Sequence, residues 1–226
     1  MEKIFDFESP NFWSSHIELI MNNYIDDIVI QELREISTND NKYIEIEDIY
    51  ELTSKNIFND VLEFTKENTC YIKLYHGTAI KNIESFLEYG LLVLSSDEKN
   101  KYIRELFNQK EFPELTDDIL NNEIEKHLDF LGMKVRENRI SFMTNKKHLL
   151  QNETHYLVYG SEYVFILAQR LGYEYKKFLE DNLKSTILTC KVPLKLLNDD
   201  FIEIVIKNII VKSHLQIPTK AANLIF

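Results

Sequence analysis

The spacing of apolar residues changes near residue 69, and this change limits the possible folds more than any other feature of the chain. Before that point, apolar side chains recur three and four residues apart, which is typical of amphipathic helices. They are Trp13, Ile17, Ile20, Met21, Tyr24, Ile28 and Val29, followed by Ile46, Ile49, Tyr50, Ile57, Phe58, Val61 and Phe64. Residues 71–75 alternate instead, as a half-buried strand does. We therefore expect an N-terminal helical region over residues 1–68, packed as a cap on a second region over residues 69–226.

The second region mixes strands and helices without a regular alternation. Strands are predicted over residues 71–75, 91–94, 140–144 and 186–192, with two further strand-like runs within 201–211. Helices are predicted over residues 79–89, with Gly90 at the C-cap, through a charged insertion over 97–137, and from Asn152 or Thr154 past Tyr163. This order predicts an α+β fold.

Charge and composition exclude several classes of function. The 226 residues carry a formal net charge of −11 with no basic patch, so nucleic acid is not the expected partner. Glycine is scarce, and neither a Gly-x-Gly-x-x-Gly nor a Walker-type sequence occurs, which leaves a Rossmann or P-loop site unsupported. Cys70 and Cys190 lie in apolar, strand-like surroundings and are expected to be reduced core thiols.

The expected location is the cytoplasm. Residues 1–8 lack the basic and apolar segments of a signal peptide. No apolar run reaches the length that spans a bilayer, so we expect no membrane association.

His76 is the first candidate for chemistry. It stands at the end of a predicted strand, and Gly77 and Thr78 follow it. A glycine at such a point allows a ligand to approach the backbone closely. Taken alone, however, the four residues Tyr-His-Gly-Thr fit a structural histidine in a turn better than a functional one.

The wider sequence resembles a known family. The stretch Leu74-Tyr75-His76-Gly77-Thr78-Ala79-Ile80-Lys81-Asn82-Ile83-Glu84-Ser85-Phe86-Leu87-Glu88-Tyr89-Gly90-Leu91 resembles the first NAD-binding block of poly- and mono-ADP-ribosyltransferases. That block has a strand ending in His-Gly-Ser/Thr, a helix with an early Asn and a closing Gly-Leu. The stretch Ile140-Ser141-Phe142-Met143-Thr144 is similar to the central strand of the family, usually Gly-Ile-Tyr-Phe-Ala.

A third block completes the resemblance, which covers roughly residues 70–217. The stretch Phe201-Ile202-Glu203-Ile204-Val205-Ile206-Lys207 resembles the strand that the family's catalytic glutamate begins, and residues 209–217 resemble its closing segment. Without the resemblance, Glu203 reads as the solvent-facing position of an alternating strand. Phe201 stands where arginine-modifying toxins carry Gln or Glu, and the first strand carries His76, so the His-Tyr-Glu class is favoured.

The resemblance implies a fold, a cofactor and a site. The fold would be an ADP-ribosyltransferase-like split antiparallel β-sheet core, with the N-terminal helical cap and the helical insertion added. NAD would be the co-substrate, and no metal would be needed. Glu203, His76 and Tyr156 would be catalytic, and His76, Gly77 and Thr78 would contact the cofactor. A tyrosine would stack on nicotinamide, with Tyr156, Tyr159 and Tyr163 as candidates; Tyr156 and Tyr159 lie nearer the predicted helix start.

Several functions stay open at this stage. The first is a mono-ADP-ribosyltransferase that modifies a macromolecule, a protein rather than a nucleic acid; as a bacterial toxin or defence effector it would have a neutralising partner protein. The second is an NAD glycohydrolase, and the third is an inactive member that binds a nucleotide or a partner. A fourth function, NAD-dependent removal of an RNA 2′-phosphate, would require a basic groove, which the sequence does not indicate. The insertion over 97–137 is equally a solvated decoration or a lid over the NAD groove.

Overall fold

A computed structural model describes most of the chain. The described residues are 4–9, 14–39, 46–53, 56–68, 71–93, 95–108, 110–130, 140–197, 200–209 and 223–225. The helices are α1 (Ser14–Met21), α2 (Asp27–Asn39), α3 (Ile46–Leu52), α4 (Asn56–Asn68), α5 (Glu84–Tyr89), α6 (Ser96–Leu106), α7 (Asp117–Phe130), α8 (Lys146–Gln151), α9 (Thr154–Tyr159), α10 (Glu162–Leu171), α11 (Tyr173–Asn182) and α12 (Asp200–Ile209). The strands are β1 (Ile4–Asp6), β2 (Tyr71–Ile80), β3 (Ser141–Met143), β4 (Lys184–Pro193) and β5 (Asn223–Ile225).

The fold is α+β, as predicted. The five strands form one sheet in the order β1-β2-β3-β5, with β4 also paired to β2. Strand β1, which the sequence did not indicate, runs parallel to β2 and pairs Phe5 with Ile72. Within the described residues, no helix combines the length and the apolar character needed to cross a membrane.

The residues fall into two compact units. The first comprises Met1–Leu74, Met143–Asn145 and Thr189–Leu224, and the second comprises Tyr75–Phe142, Lys146–Leu188 and Ile225–Phe226. The predicted division into residues 1–68 and 69–226 stays a prediction.

The first unit is mainly helical. Helix α1 packs on α4, and α12 packs on α3 and α4. The helices predicted before residue 69 are confirmed as α1 to α4, because their apolar residues recur on one face. Ile17 and Met21 on α1, four residues apart, are both fully buried, as are Ile57 and Val61 on α4.

Helix α12 corrects the most consequential prediction. The strand predicted from residue 201 is wrong as far as residue 209, since Asp200–Ile209 is helical, and the rest of the second strand-like run lies outside the described residues. The buried residues are Phe201, Ile202, Val205 and Ile206, whose spacing is that of a helix face. Phe201 meets the rings of Phe5 and Phe7 edge-on, with centroids 5.8 and 6.0 Å away. This packing outweighs the strand preference of the β-branched residues. Residues 210–217 of the resembling block lie outside the described residues.

The second unit is built around a helical core. Helix α10 packs on α7, α9 and α11. Ile103, Leu106 and Phe107 from the predicted insertion are at most 2% exposed and belong to this core with Leu167 and Leu179. The interpretation of the insertion as a solvated decoration is therefore wrong for α6, which is a packed element.

Strand β2 is longer than predicted. It runs through His76 to Ile80, so the predicted strand end at His76 and the helix start at residue 79 are wrong. Thr78 and Ala79 are buried in the strand. The helix begins only at Glu84, whose backbone N–H donates to the Asn82 side chain at 2.9 Å. Its end at Gly90 is confirmed, with φ 74° and the N–H bonded to the Phe86 carbonyl.

Two other predictions differ from the structure. Residues 91–93 form no strand, and Leu92 and Val93 are exposed. The helix predicted to hold three tyrosines is divided into α9 and α10, because Gly160 has φ 82° and Ser161 caps α10 by accepting from the Val164 N–H at 3.1 Å. Strands β3 and β4 confirm the predictions over 140–144 and 186–192. Cys190 is half-buried on β4, while Cys70 lies outside the described residues.

Candidate ligand-binding site around His76

A cavity of about 570 Å³ lies within the second unit. Four parts of the chain line it: the end of β2, the segment around α5, one face of α6, and the α9–α10 corner beside the start of β3. The predicted site residues among its lining are His76, Thr78, Tyr156, Tyr159 and Tyr163. Residues predicted from well-separated stretches of sequence thus border one space.

His76 is held by the neighbouring strand. Its Nδ1 lies 2.9 Å from the carbonyl oxygen of Ser141, the first residue of β3. Because a carbonyl oxygen only accepts, Nδ1 carries the hydrogen and Nε2 of the neutral ring is an acceptor. Burial lowers the pKa of His76 from its usual 6.5, against the opposing effect of the bond to Ser141. The ring therefore meets a ligand near neutral pH as an uncharged imidazole.

Gly77 has a packing role that its sequence context did not reveal. It is buried and does not border the cavity. A Cβ at this position would lie 2.9 Å from Cδ2 of Leu149 and 3.3 Å from Cδ2 of Leu157. The missing side chain thus allows helices α8 and α9 to approach β2, and contact of Gly77 with a ligand stays a prediction.

Thr78 and Gly160 fix the corner between β2 and the α9–α10 turn. The Thr78 hydroxyl is 3.5 Å from the Gly160 carbonyl oxygen, and a Cβ on Gly160 would lie 2.9 Å from the Ala79 carbonyl oxygen. Since the φ of 82° also disfavours a side chain, glycine is required here for two reasons. This contact places the three tyrosines beside β2. The sequence signal that could have predicted the corner is Tyr159-Gly160-Ser161, which separates the helix of Tyr156 from that of Tyr163.

Tyr159 is built into the core. It is 8% exposed, and its hydroxyl donates to Oε1 of Glu180 at 2.6 Å. Its ring packs against Phe165, with centroids 4.7 Å apart, and under the ammonium of Lys176. Burial, assisted by Glu180, raises the pKa of Tyr159 to about 12. These contacts fix the ring, so it forms a wall of the cavity.

Tyr156 and Tyr163 are less deeply enclosed. Both are half-buried, and burial raises the pKa of Tyr163 to about 12. The Tyr156 ring lies beside that of His155, with centroids 4.2 Å apart. Its Cβ is 3.4 Å from the place a Gly77 side chain would occupy. Tyr156 is thus the tyrosine nearest the centre of the predicted His-Gly-Thr motif.

Glu203 is not among the described residues that border the cavity. It is half-buried on α12 in the first unit, where Oε1 accepts from the Tyr50 hydroxyl at 3.4 Å. Burial and the Glu203 charge raise the pKa of Tyr50. The strand that was expected to present Glu203 does not exist, and its catalytic role stays a prediction.

The insertion contributes residues that sequence reasoning missed. Lys99, Tyr102 and Ile103 lie three and four residues apart on α6 and border the cavity. That spacing was a signal for a common face, but nothing in it indicated what the face would meet. In the part of the chain that the structure describes, no group of three or more His, Cys, Asp or Glu side chains is arranged to hold a metal ion.

Comparisons with known proteins add no further constraint. No protein-family model matches the chain, and neither curated proteins nor solved structures give a match.

Proposed function

We propose that the chain is an NAD-dependent mono-ADP-ribosyltransferase that binds NAD in the cavity around His76. It would cleave the bond between nicotinamide and ribose and transfer ADP-ribose to a macromolecular acceptor, a protein rather than a nucleic acid. One observation carries the proposal. His76, Thr78 and the three candidate tyrosines, which the family resemblance assigned to NAD, border the same cavity.

The chemistry of the lining suits a nucleotide. A volume of about 570 Å³ is in the range of ordinary ligand sites. Aromatic faces from Tyr156, Tyr163 and Phe86 offer surfaces on which a nicotinamide or adenine ring can stack. The neutral imidazole of His76 offers an acceptor for a ribose hydroxyl, in keeping with its lowered pKa.

The reaction needs a negative charge beside the ribose. The C–N bond breaks with its electron pair leaving on nicotinamide, and an oxocarbenium-like ribose develops positive charge. An acceptor nucleophile then bonds to the same carbon and releases a proton. The resemblance assigns the stabilising charge to Glu203, the carboxylate that accepts from Tyr50.

A nucleotide-binding protein without NAD cleavage is the second candidate. A specific observation favours it: the described lining contains no aspartate or glutamate. Such a protein would bind the nucleotide tightly and leave it intact.

The test combines cleavage and transfer. The full chain is incubated with NAD labelled in the adenylate half, with and without a cell lysate, and released nicotinamide is measured together with labelled macromolecules. His76→Gln should abolish both signals, while the exposed His16→Gln serves as the matched control. Labelling of macromolecules that depends on His76 supports the transferase. Release of nicotinamide that is as fast without the lysate as with it supports a glycohydrolase. Binding of NAD without release supports the second candidate, and the absence of binding contradicts both.

A further inference from the structure

The cavity differs in charge from the chain that forms it. Acidic residues outnumber basic ones by 37 to 26 in the sequence. Among the described residues that border the cavity, the charged side chains are Lys81 and Lys99, and there is no aspartate or glutamate. Burial keeps His76 neutral near pH 7, so the two lysines set the charge of this space.

The two lysines belong to different elements that line the cavity. Lys81 follows the last residue of β2 and is exposed, with Nζ 5.8 Å from the centre of the Phe178 ring. Lys99 is half-buried on α6, four residues before the fully buried Ile103. Neither ammonium forms an ion pair within the described residues. Two uncompensated cations at a concave surface attract an anion more strongly than the same charges on a flat one.

Helix α6 holds Lys99 in a fixed place. Ser95 and Glu98 form a capping box at its start, and Ile103 and Leu106 anchor it in the core of the second unit. The Arg104 guanidinium bonds the carboxylate of Asp117 at 2.6 Å, which ties α6 to the start of α7. The cation is thus presented by an anchored helix, which reduces the entropy lost when a ligand binds.

We infer that Lys81 and Lys99 bind the diphosphate of the ligand, and that α6 of the insertion is therefore part of the binding site. The ligand class is an aromatic base joined to a diphosphate, because Phe86, Tyr89 and Tyr102 border the same cavity as the two lysines. The inference rests on the proposed function for the identity of NAD as that ligand. The affinity for diphosphates can be measured whether or not NAD is cleaved.

Calorimetry with three probes tests this inference. ADP-ribose, ADP and adenosine are titrated into the full chain and into Lys81→Glu, Lys99→Glu and the control Lys101→Glu. Lys101 is exposed on α6 and does not border the cavity. Each of the first two variants should bind ADP-ribose and ADP about tenfold more weakly, with adenosine unchanged, since one charged contact is lost. Added salt should weaken the binding of ADP-ribose and ADP and leave the binding of adenosine unchanged.

Several outcomes would overturn the inference. If both lysine variants bind ADP-ribose with unchanged affinity, the inference is wrong. It is also wrong if their affinity for adenosine falls as much as their affinity for ADP-ribose, because such a loss would be a structural effect. Failure of the unmodified chain to bind either diphosphate also overturns it. If a charge reversal prevents folding, Lys81→Met and Lys99→Met keep the aliphatic stem and carry the same expectation.

The diphosphate site and the proposed enzymatic function can be confirmed or contradicted independently of each other. Weaker ADP binding in the lysine variants of a chain that never cleaves NAD supports the diphosphate site and contradicts the enzyme. Cleavage of NAD with the same KM in Lys81→Glu and Lys99→Glu supports the enzyme and contradicts the diphosphate site.

Discussion

The Nδ1 atom of His76 lies 2.9 Å from the carbonyl oxygen of Ser141. Within the second unit, this bond joins the middle of β2 to the start of β3, and it orients the imidazole at the edge of the cavity. A histidine in this setting is both a structural link and a ligand-facing group. The two roles can be separated, because the link uses Nδ1 and Nε2 is not needed for it.

The lowered pKa of His76 makes stability depend on pH. Because the folded-state pKa lies below the usual 6.5, the unfolded chain takes up this proton first as the pH falls. The contribution of His76 to stability is therefore complete above that value and is lost on acidification. Between about pH 7.5 and about pH 5.5, the free energy of unfolding should fall more steeply for the unmodified chain than for His76→Gln. Urea unfolding at several pH values measures this, and parallel curves would contradict it.

Gly160 and Gly90 allow a matched test of backbone packing. Both have positive φ, of 82° and 74°, but a Cβ on Gly160 would meet the Ala79 carbonyl oxygen at 2.9 Å while one on Gly90 would meet nothing within 4 Å. Gly90→Ala should cost about 1–3 kcal/mol of unfolding free energy, because a residue with a Cβ is strained at φ 74° and ψ −162°. Gly160→Ala should cost about 1–3 kcal/mol more, since a close contact with the Ala79 carbonyl oxygen is added to comparable backbone strain. Denaturant unfolding measures both variants. Equal losses of unfolding free energy would contradict the prediction, because they would show that the backbone around Ala79 shifts to accommodate the added Cβ.

Tyr156 is the tyrosine that we expect to contribute most to ligand affinity by stacking. Tyr156→Ala should weaken NAD binding about fivefold, because one aromatic contact of about 1 kcal/mol is lost, whereas Tyr156→Phe should retain it. Calorimetry on the full chain measures both, with thermal unfolding to confirm that the variants fold. An equal loss in the phenylalanine variant would assign the effect to the hydroxyl instead of the ring.

The sequence predicted the parts of the fold in which periodicity and end signals agree. Helices α1 to α4 have apolar faces, α5 ends at Gly90, and β4 combines Thr, Ile and Val before its final Pro193. These elements are determined locally, and local reasoning found them. The tyrosines and His76 were also predicted as site residues, and they border one cavity.

The predictions failed where packing between distant segments decides the structure. Residues 201–206 are apolar except for Glu203 and rich in β-branched side chains, as in a strand. However, Phe201 and Val205 also lie four residues apart, and burial against β1 and α4 selects the helix. Strand β2 continues through Gly77, where Leu149 of α8 and Leu157 of α9 pack so closely that they leave no room for a side chain. Neither contact can be predicted from the local sequence around the residues that form it.

Glu203 provides the sharpest test of catalysis, since two of its properties can be varied separately. Its Oε1 accepts from the Tyr50 hydroxyl at 3.4 Å on the surface shared by α3 and α12. Glu203→Gln removes the charge, and Tyr50→Phe removes the hydrogen bond and leaves the charge. Tyr50→Phe should cost about 1 kcal/mol of unfolding free energy, the net contribution of a partly buried hydrogen bond, whereas Glu203→Gln keeps an acceptor oxygen and should cost less.

For NAD cleavage, the proposed transferase predicts a loss that depends on the charge. Glu203→Gln should lower kcat by about a hundredfold, which is typical for removal of a group that stabilises transition-state charge. The control is Glu47→Gln, an exposed acid on the same helix as Tyr50 and outside the proposed site. Nicotinamide release under saturating NAD measures kcat, and unfolding curves measure stability in parallel. If Glu203→Gln cleaves NAD at the unmodified rate, Glu203 is a structural residue of the first unit, and the negative charge must come from another carboxylate.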